Sequence, residues 1–123
     1  HVNDLRRRYP SVIDNIIRAG GEIVIRSVEA LEAGDLDVLG VMMNMNQALL
    51  FAVGVSNEPL ERLVFAARRA GALGAKLTGA GGGGCMVALA TAEKIKDIAE
   101  AIERDGGQAF ITSKTMEGVR IEE

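Results

Sequence analysis

Positions Val12, Ile16, Ile23, Ser27 and Leu31, flanked by Ile13, Ile17, Val24 and Val28, keep near-helical spacing after Pro10 and Ser11. Pro10 is preset for a first helical turn. Gly20 and Gly21 interrupt the pattern, at about 1 kcal/mol per glycine relative to alanine. Residues 22–28 are β-branched enough to form a strand, but the surrounding period favours one helix with a close-packing site at the glycines. Gly34 ends that helix and Asp35 caps the next, which carries Leu36, Leu39, Met42, Met43, Leu49, Leu50 and Val53 and stops at Gly54. Ser56 or Asn57 caps a third helix, with Pro59 in its first turn, Leu60, Leu63, Val64 and Ala67 facing inward, and Gly71 as its C-terminal glycine.

The period then changes. Residues 75–78 read as a short strand, residues 79–84 as a glycine loop, and residues 85–90 as a buried strand. Thr91 is placed to cap a helix with Ile95, Ile98, Ala99 and Ile102 on one face, closed by Gly106 and Gly107. Residues 108–112 are β-prone, and Met116, Val119 and Ile121 predict a final strand around Gly118. The sum is three helices followed by β-loop-β-α-β-β: an α+β sandwich, its antiparallel sheet covered by helices on one face. No internal repeat or long linker divides residues 1–123, so a single domain is expected.

Composition narrows the class. At 123 residues with 48% apolar content the chain can build a core without metal or disulfide staples, and disorder is excluded. Aromatics are limited to Tyr9, Phe51, Phe65 and Phe110, so that core is aliphatic, with Met42, Met43 and Met45 as gap fillers. A net charge of −3 gives no pull toward nucleic acid or membrane. Arg6, Arg7 and Arg8 read as a solvated helix end, lacking the interleaved aromatics on which bases stack. The single cysteine, Cys85, forms no internal disulfide, suits a reducing cytoplasmic setting, and reads as a small core residue. Residues 38–57 run twenty positions without a charge, long enough to span a bilayer. Asn44, Asn46 and Gln47 in their middle favour a buried helix instead. The chain does not open with methionine, which hints at a processed or truncated product.

Of the 15 glycines, five fall within the six positions 79–84 of Lys76-Leu77-Thr78-Gly79-Ala80-Gly81-Gly82-Gly83-Gly84. Successive residues without Cβ let backbone approach a ligand closely, and their amides can converge on an anion. Gly79, Gly81 and Gly84 formally satisfy the dinucleotide fingerprint, but that motif must open a helix and here a strand pattern follows. A Walker loop needs Lys and then Ser or Thr after its last glycine, where this chain has Cys85 and Met86. A plain flexible hairpin stays open as the alternative, although a hairpin needs two residues and not six. The only histidine is terminal His1, so no Ser/His/Asp triad can form, and no Cys/His cluster has metal-ligand spacing. Asp35 and Asp37 read as capping residues and not as a metal pair. The residues thus offer a phosphate or substrate cradle without a complete catalytic constellation.

Residues 71–85, Gly-Ala-Leu-Gly-Ala-Lys-Leu-Thr-Gly-Ala-Gly-Gly-Gly-Gly-Cys, closely resemble the third conserved motif of the mevalonate kinase family, within the GHMP small-molecule kinase superfamily. Upstream, Met45-Asn46-Gln47-Ala48-Leu49-Leu50 and Gly54-Val55-Ser56 resemble that family's Asn-Gln-x-Leu-Leu and Gly-Val-Ser elements, in matching order and spacing. The resemblance is strong over residues 5–90 and looser to the end.

It implies a ferredoxin-like C-terminal domain of a two-domain enzyme that moves the γ-phosphoryl of ATP to the primary hydroxyl of mevalonate, with Mg²⁺. The family's Gly-Leu-Ser-Ser-Ser phosphate loop and catalytic Asp and Lys belong to an N-terminal domain, the implied partner, and that loop's motif is absent from this sequence. By the same resemblance Thr78, Gly79, Ala80, Gly81, Gly82 and Gly83 line the substrate and phosphate cleft. No catalytic or metal-binding residue is assigned to this chain. Lys76 either adds charge near the loop or points to solvent. Asn46 and Gln47 either bond the loop backbone or form a satisfied buried pair. A homodimer is compatible with this picture. The alternatives are another GHMP kinase acting on phosphomevalonate, homoserine or a sugar, and a stand-alone ferredoxin-like module binding an anionic metabolite.

Overall fold

The structure, a computed structural model, describes residues 1–78 and 85–111. The expected glycine loop at 79–84, Thr112 and the strand expected around Gly118 lie outside the described residues. Among the described residues, five helices and a two-stranded antiparallel sheet follow in the order α1 (Val2–Arg8), α2 (Pro10–Ala33), α3 (Leu36–Ala52), α4 (Glu58–Arg69), β1 (Gly74–Leu77), β2 (Met86–Leu89) and α5 (Ile95–Arg104). The α+β class is as the hydrophobic pattern predicts.

Helix boundaries fall where local chemistry puts them. Pro10 sits in the first turn of α2, and Gly34 ends it in a left-handed conformation, φ 71°. The Asp35 carboxylate accepts from Val38 N at 3.1 Å to start α3, and the Asn57 side chain accepts from Leu60 N at 3.0 Å to start α4. Arg6, Arg7 and Arg8 do end a helix: they form the last turn of α1, a separate helix before Pro10. Four expectations need correction. β2 is half-buried at all four positions and not a buried strand, because it has helices on one face only. A Cβ built at Gly20 or Gly21 meets nothing within 4 Å, so α2 runs straight through them with no close-packing partner among the described residues. Thr91 does not cap α5; its carbonyl accepts from Lys94 N in a preceding turn, and the helix starts at Ile95. Residues 108–111 form no strand.

β1 and β2 pair antiparallel, Gly74 opposite Leu89 and Leu77 opposite Met86. Alternation sends Ala75 to the face covered by α4 and α5, where Val64, Ala67, Ala75 and Ile98 form a buried cluster with Met86, Ala88 and Ile102 packed against it. α3 does not lie on that face. It runs along the outer edge of β1, α2 packs on α3, and α1 on α2.

The edge-on approach of α3 requires two glycines. A Cβ at Gly40 would stand 2.5 Å from the Leu73 carbonyl carbon, and one at Gly74 would stand 2.7 Å from Gly40 Cα. With both side chains reduced to hydrogen, helix backbone touches strand backbone. No helix of the described residues is long and apolar enough to cross a membrane. The uncharged stretch 38–57 does not form the buried helix expected either: only Gly40 and Gln47 of α3 are buried, and Val38, Val41, Met45 and Phe51 are exposed, because the helix lies along a strand edge and meets it with one face only.

Candidate functional site

β1 carries the chain into the glycine loop and β2 carries it away. The mouth is closed by a bond from Thr78 N to Cys85 O at 3.1 Å. Residues facing β2 alternate with residues facing outward, so with Thr78 bonded to Cys85 the amides of Ala75 and Leu77 point to the outer edge. A bare edge would leave them unpaired inside the protein, and α3 supplies the acceptors. The Asn44 side-chain oxygen accepts from Ala75 N at 3.0 Å and the Gln47 oxygen accepts from Leu77 N at 2.8 Å. Gly40, Asn44 and Gln47 stand at i, i+4 and i+7, one face of one helix.

Gln47 is only 1% exposed, and its other end is also satisfied. Its Nε2 donates to Ser56 Oγ at 3.1 Å and to Glu61 Oε2 at 2.5 Å, and Ser56 Oγ donates to the same carboxylate oxygen at 2.6 Å. Gln47 comes from α3, Ser56 from the α3–α4 corner, Glu61 from the first turn of α4, and Leu77 from the last position of β1. The three segments that carry the family resemblance (45–50, 54–56 and 71–85) therefore meet at one hydrogen-bonded cluster at the loop's root.

Two cations complete the edge. Arg68 donates to Ala75 O at 3.1 Å, with its guanidinium 5.4 Å from the Phe65 ring centre, and burial lowers its pKa. Lys76 Nζ donates to Leu77 O at 2.6 Å, and burial pushes its pKa below the ordinary lysine value. Lys76 thus does not point free into solvent; its ammonium is held on the last carbonyl of β1, one residue before Thr78.

Of the residues expected to line the cleft, the structure places Thr78 at the mouth. It is buried, 6% exposed, and its Oγ1 has no hydrogen-bond partner among the described residues. A buried hydroxyl without a partner is uncommon in folded proteins. Gly79, Ala80, Gly81, Gly82 and Gly83 lie outside the described residues. Gln47 bonds the strand that enters the loop, while Asn46 is half-buried and makes no side-chain bond among the described residues. Cys85 is exposed and not a core residue. Asn44, Ser56 and Glu61 were not legible as partners from the sequence pattern, although the Gly40/Asn44/Gln47 spacing carries a signal for the first.

Among the described residues no group of three or more His, Cys, Asp or Glu could hold a metal ion. The described side chains therefore do not fit a Mg²⁺ site, and no step is derived through one. What they build is a strand end whose outward polar groups at Ala75 and Leu77 are all occupied, leading into the glycine run at 79–84.

An α+β domain with this sequence matches a family of small-molecule kinases. The family model described as GHMP kinases C terminal matches residues 27–108, and the chain belongs to that family. Among curated relatives, the mevalonate kinase of Thermococcus gammatolerans is 48% identical over 99% of this chain and 38% of its own length. That of Pyrococcus horikoshii is 47% identical over 97% of this chain and 38% of its own. A crystal structure of L. major mevalonate kinase in complex with R-mevalonate superposes with a TM-score of 0.79 at 36% identity, over 84% of this chain and 32% of that one. Mevalonate kinase from methicillin-resistant Staphylococcus aureus MRSA252 gives 0.65 at 29% identity, over 77% and 32%. This chain thus spans little more than a third of the length of the curated relatives it matches.

Proposed function

We propose that residues 1–123 form one C-terminal domain of an ATP-dependent mevalonate kinase, completed by an N-terminal domain such as its longer relatives have room for. The observation that carries the reading is the convergence of Gln47, Ser56 and Leu77, one residue from each resembling segment, on the root of the glycine loop. The exposed apolar side chains Ile17, Val24, Ile25 and Val28 along α2 support it, as a surface for a larger polypeptide to cover.

In this reading the mevalonate primary hydroxyl oxygen attacks the γ-phosphorus of ATP. The bond to the β–γ bridging oxygen breaks, ADP leaves with that electron pair, and the hydroxyl proton passes to a base on the N-terminal domain. Phosphoryl transfer depends on positioning and on stabilising charge at the transferring oxygens, more than on proton chemistry from every wall of the cleft. Thr78, Gly79, Ala80, Gly81, Gly82 and Gly83 are the cleft-lining residues we assign to this domain, with the backbone amides of residues 79–83 and the Thr78 hydroxyl, which has no partner among the described residues, as donors. Mg²⁺, which shields phosphate charge when bound, would be held by the N-terminal domain. A cytoplasmic setting fits the single, exposed thiol of Cys85.

The test is an ADP-release assay on the complete enzyme, offered mevalonate, phosphomevalonate, homoserine and galactose. Turnover with mevalonate at least a hundredfold above the others is expected. Preference for another acceptor would move the chain elsewhere in the superfamily, and micromolar ATP or mevalonate binding by residues 1–123 alone would favour a stand-alone binding module.

A further inference from the structure

Gln47 ends in a carboxamide whose two sides differ in chemistry: one oxygen that only accepts and one nitrogen that only donates. Leu77 N can only donate, so it needs the oxygen. If the amide flipped, an N–H would face an N–H and a carbonyl would face a carboxylate. Glu61 and Ser56 decide the orientation, because a carboxylate in its ionised form accepts and never donates. With Nε2 held by Glu61 Oε2 at 2.5 Å and by Ser56 Oγ at 3.1 Å, Oε1 is left facing Leu77 N at 2.8 Å. We propose that Glu61, acting through Ser56 and Gln47, is a positioning residue that fixes the end of β1, and with it Thr78 and the glycine loop, for phosphoryl transfer. This rests on the kinase reading above.

The placement argues for a role in positioning the loop beyond holding α3 to α4. Ala75, further back on β1, is already secured at both of its outward groups, by Asn44 on its N and Arg68 on its O. The Gln47 cluster acts one step before the loop, next to the buried Thr78 hydroxyl, which has no partner among the described residues. An error of an ångström there is passed to every donor beyond it, and misplacement on that scale is enough to cost a large factor in rate. Effects confined to donors that act on developing charge appear in kcat more than in KM.

The experiment is a polarity swap in the complete enzyme. Gln47→Glu keeps size but sets two carboxylates against each other and removes the donor. The double variant Gln47→Glu/Glu61→Gln restores one donor and one acceptor at the junction, an oxygen toward Leu77 N, and the same total charge. We expect Gln47→Glu to lower kcat at least tenfold with KM for mevalonate and ATP within threefold, and the double variant to return kcat to within threefold of the parent. Circular dichroism at the assay temperature reports the folded fraction, and kcat is expressed per folded enzyme. Amide exchange at Leu77 should quicken at least tenfold in Gln47→Glu and recover in the double variant, while Ala75, held by Asn44, stays within threefold.

Parent-like kcat in folded Gln47→Glu, or a double variant no better than the single one, overturns the proposal. So does a loss of kcat that vanishes once the folded fraction is counted. Should the parent phosphorylate no acceptor, the kinase reading fails by itself. The Leu77 exchange rates then still show whether the carboxylate orients Gln47, and unchanged exchange sinks that half independently.

Discussion

Replacing Gly40 by alanine isolates the contact on which the site's geometry depends. In an ordinary helix interior this change stabilises, by about 1 kcal/mol, because alanine is the better helix former. Here the new methyl would lie 2.5 Å from the Leu73 carbonyl carbon and 2.9 Å from Leu73 Cβ, against ordinary contacts of 3.4 Å or more. The nearest neighbours are main chain, which cannot rotate away, so α3 must retreat by roughly 1 Å, since packed interiors leave no slack. That retreat stretches the Asn44 and Gln47 bonds of 3.0 and 2.8 Å beyond useful range together. A buried amide left without its acceptor costs about 1–3 kcal/mol. Two such amides, offset by the helix gain, put the net loss at about 3 kcal/mol, and overpacking adds to it. In a domain of this size that lowers the melting midpoint by roughly 10 °C or more. The assay is thermal unfolding followed by circular dichroism, with Gly20→Ala as the paired control. Nothing lies within 4 Å of the Cβ built there, so that change should raise the midpoint by a few degrees. If Gly40→Ala proves as stable as the parent, the backbone contact between α3 and β1 is not what holds the edge.

Three further outcomes are expected. Asn57→Ala removes the α4 cap on Leu60 N, and should cost about 1 kcal/mol in denaturant unfolding; no change would mean that Pro59 and the first-turn acids set that terminus alone. Burial lowers the Lys76 pKa below its ordinary 10.5, so the folded state releases this proton before the unfolded state does. Lys76 therefore stabilises most above the ordinary value, and that share is lost as pH falls through its folded pKa. The stability of the parent relative to Lys76→Met should rise from pH 7 to pH 10, as read from paired melts, and a falling difference would contradict the desolvated ammonium. Val24 is 58% exposed on an apolar stretch of α2; residues 1–123 alone should self-associate at high concentration, and Val24→Lys should shift sedimentation toward monomer. Equal sedimentation of the two chains would show that this face is not the sticky one.

Much of the scaffold was legible because its signals are local. Gly34, Asp35, Asn57, Pro59 and Gly71 act through their own backbone geometry or on residues within one turn, and the helices stop and start beside them. What escaped depends on partners distant in sequence. Asn44 served only as an argument against a membrane span, yet its side chain meets Ala75, thirty-one residues on. Glu61 looked like any first-turn acid on a helix surface, and only the fold brings it to Gln47. The close-packing site expected at Gly20 and Gly21 is instead at Gly40 and Gly74. A single helical glycine and a strand-leading one reveal nothing until the helix and strand are known to touch. Thr91 is a capable cap residue passed over because a turn intervenes before Ile95.

The edge of β1 explains why a site of this kind is built from side chains instead of another strand. Ala75 and Leu77 present four outward polar groups, and Asn44, Arg68, Gln47 and Lys76 take one each. A strand neighbour could have done the same, but pairing tolerates register slips and open edges invite a second chain. Three of those side chains come from other elements, two of them from a helix pressed against the strand by Gly40 and Gly74, and together they hold the strand in one register. The benefit falls on the loop. Ordering backbone costs about 1–2 kcal/mol per residue, and glycines sit at the expensive end. A loop with five glycines in six positions can bind productively only if its ends are not also searching. Pinning Leu77 through Gln47 and closing Thr78 onto Cys85 removes that search before any ligand arrives. The pinning of β1 and the glycine content of the sequence that follows it are thus two requirements of one design.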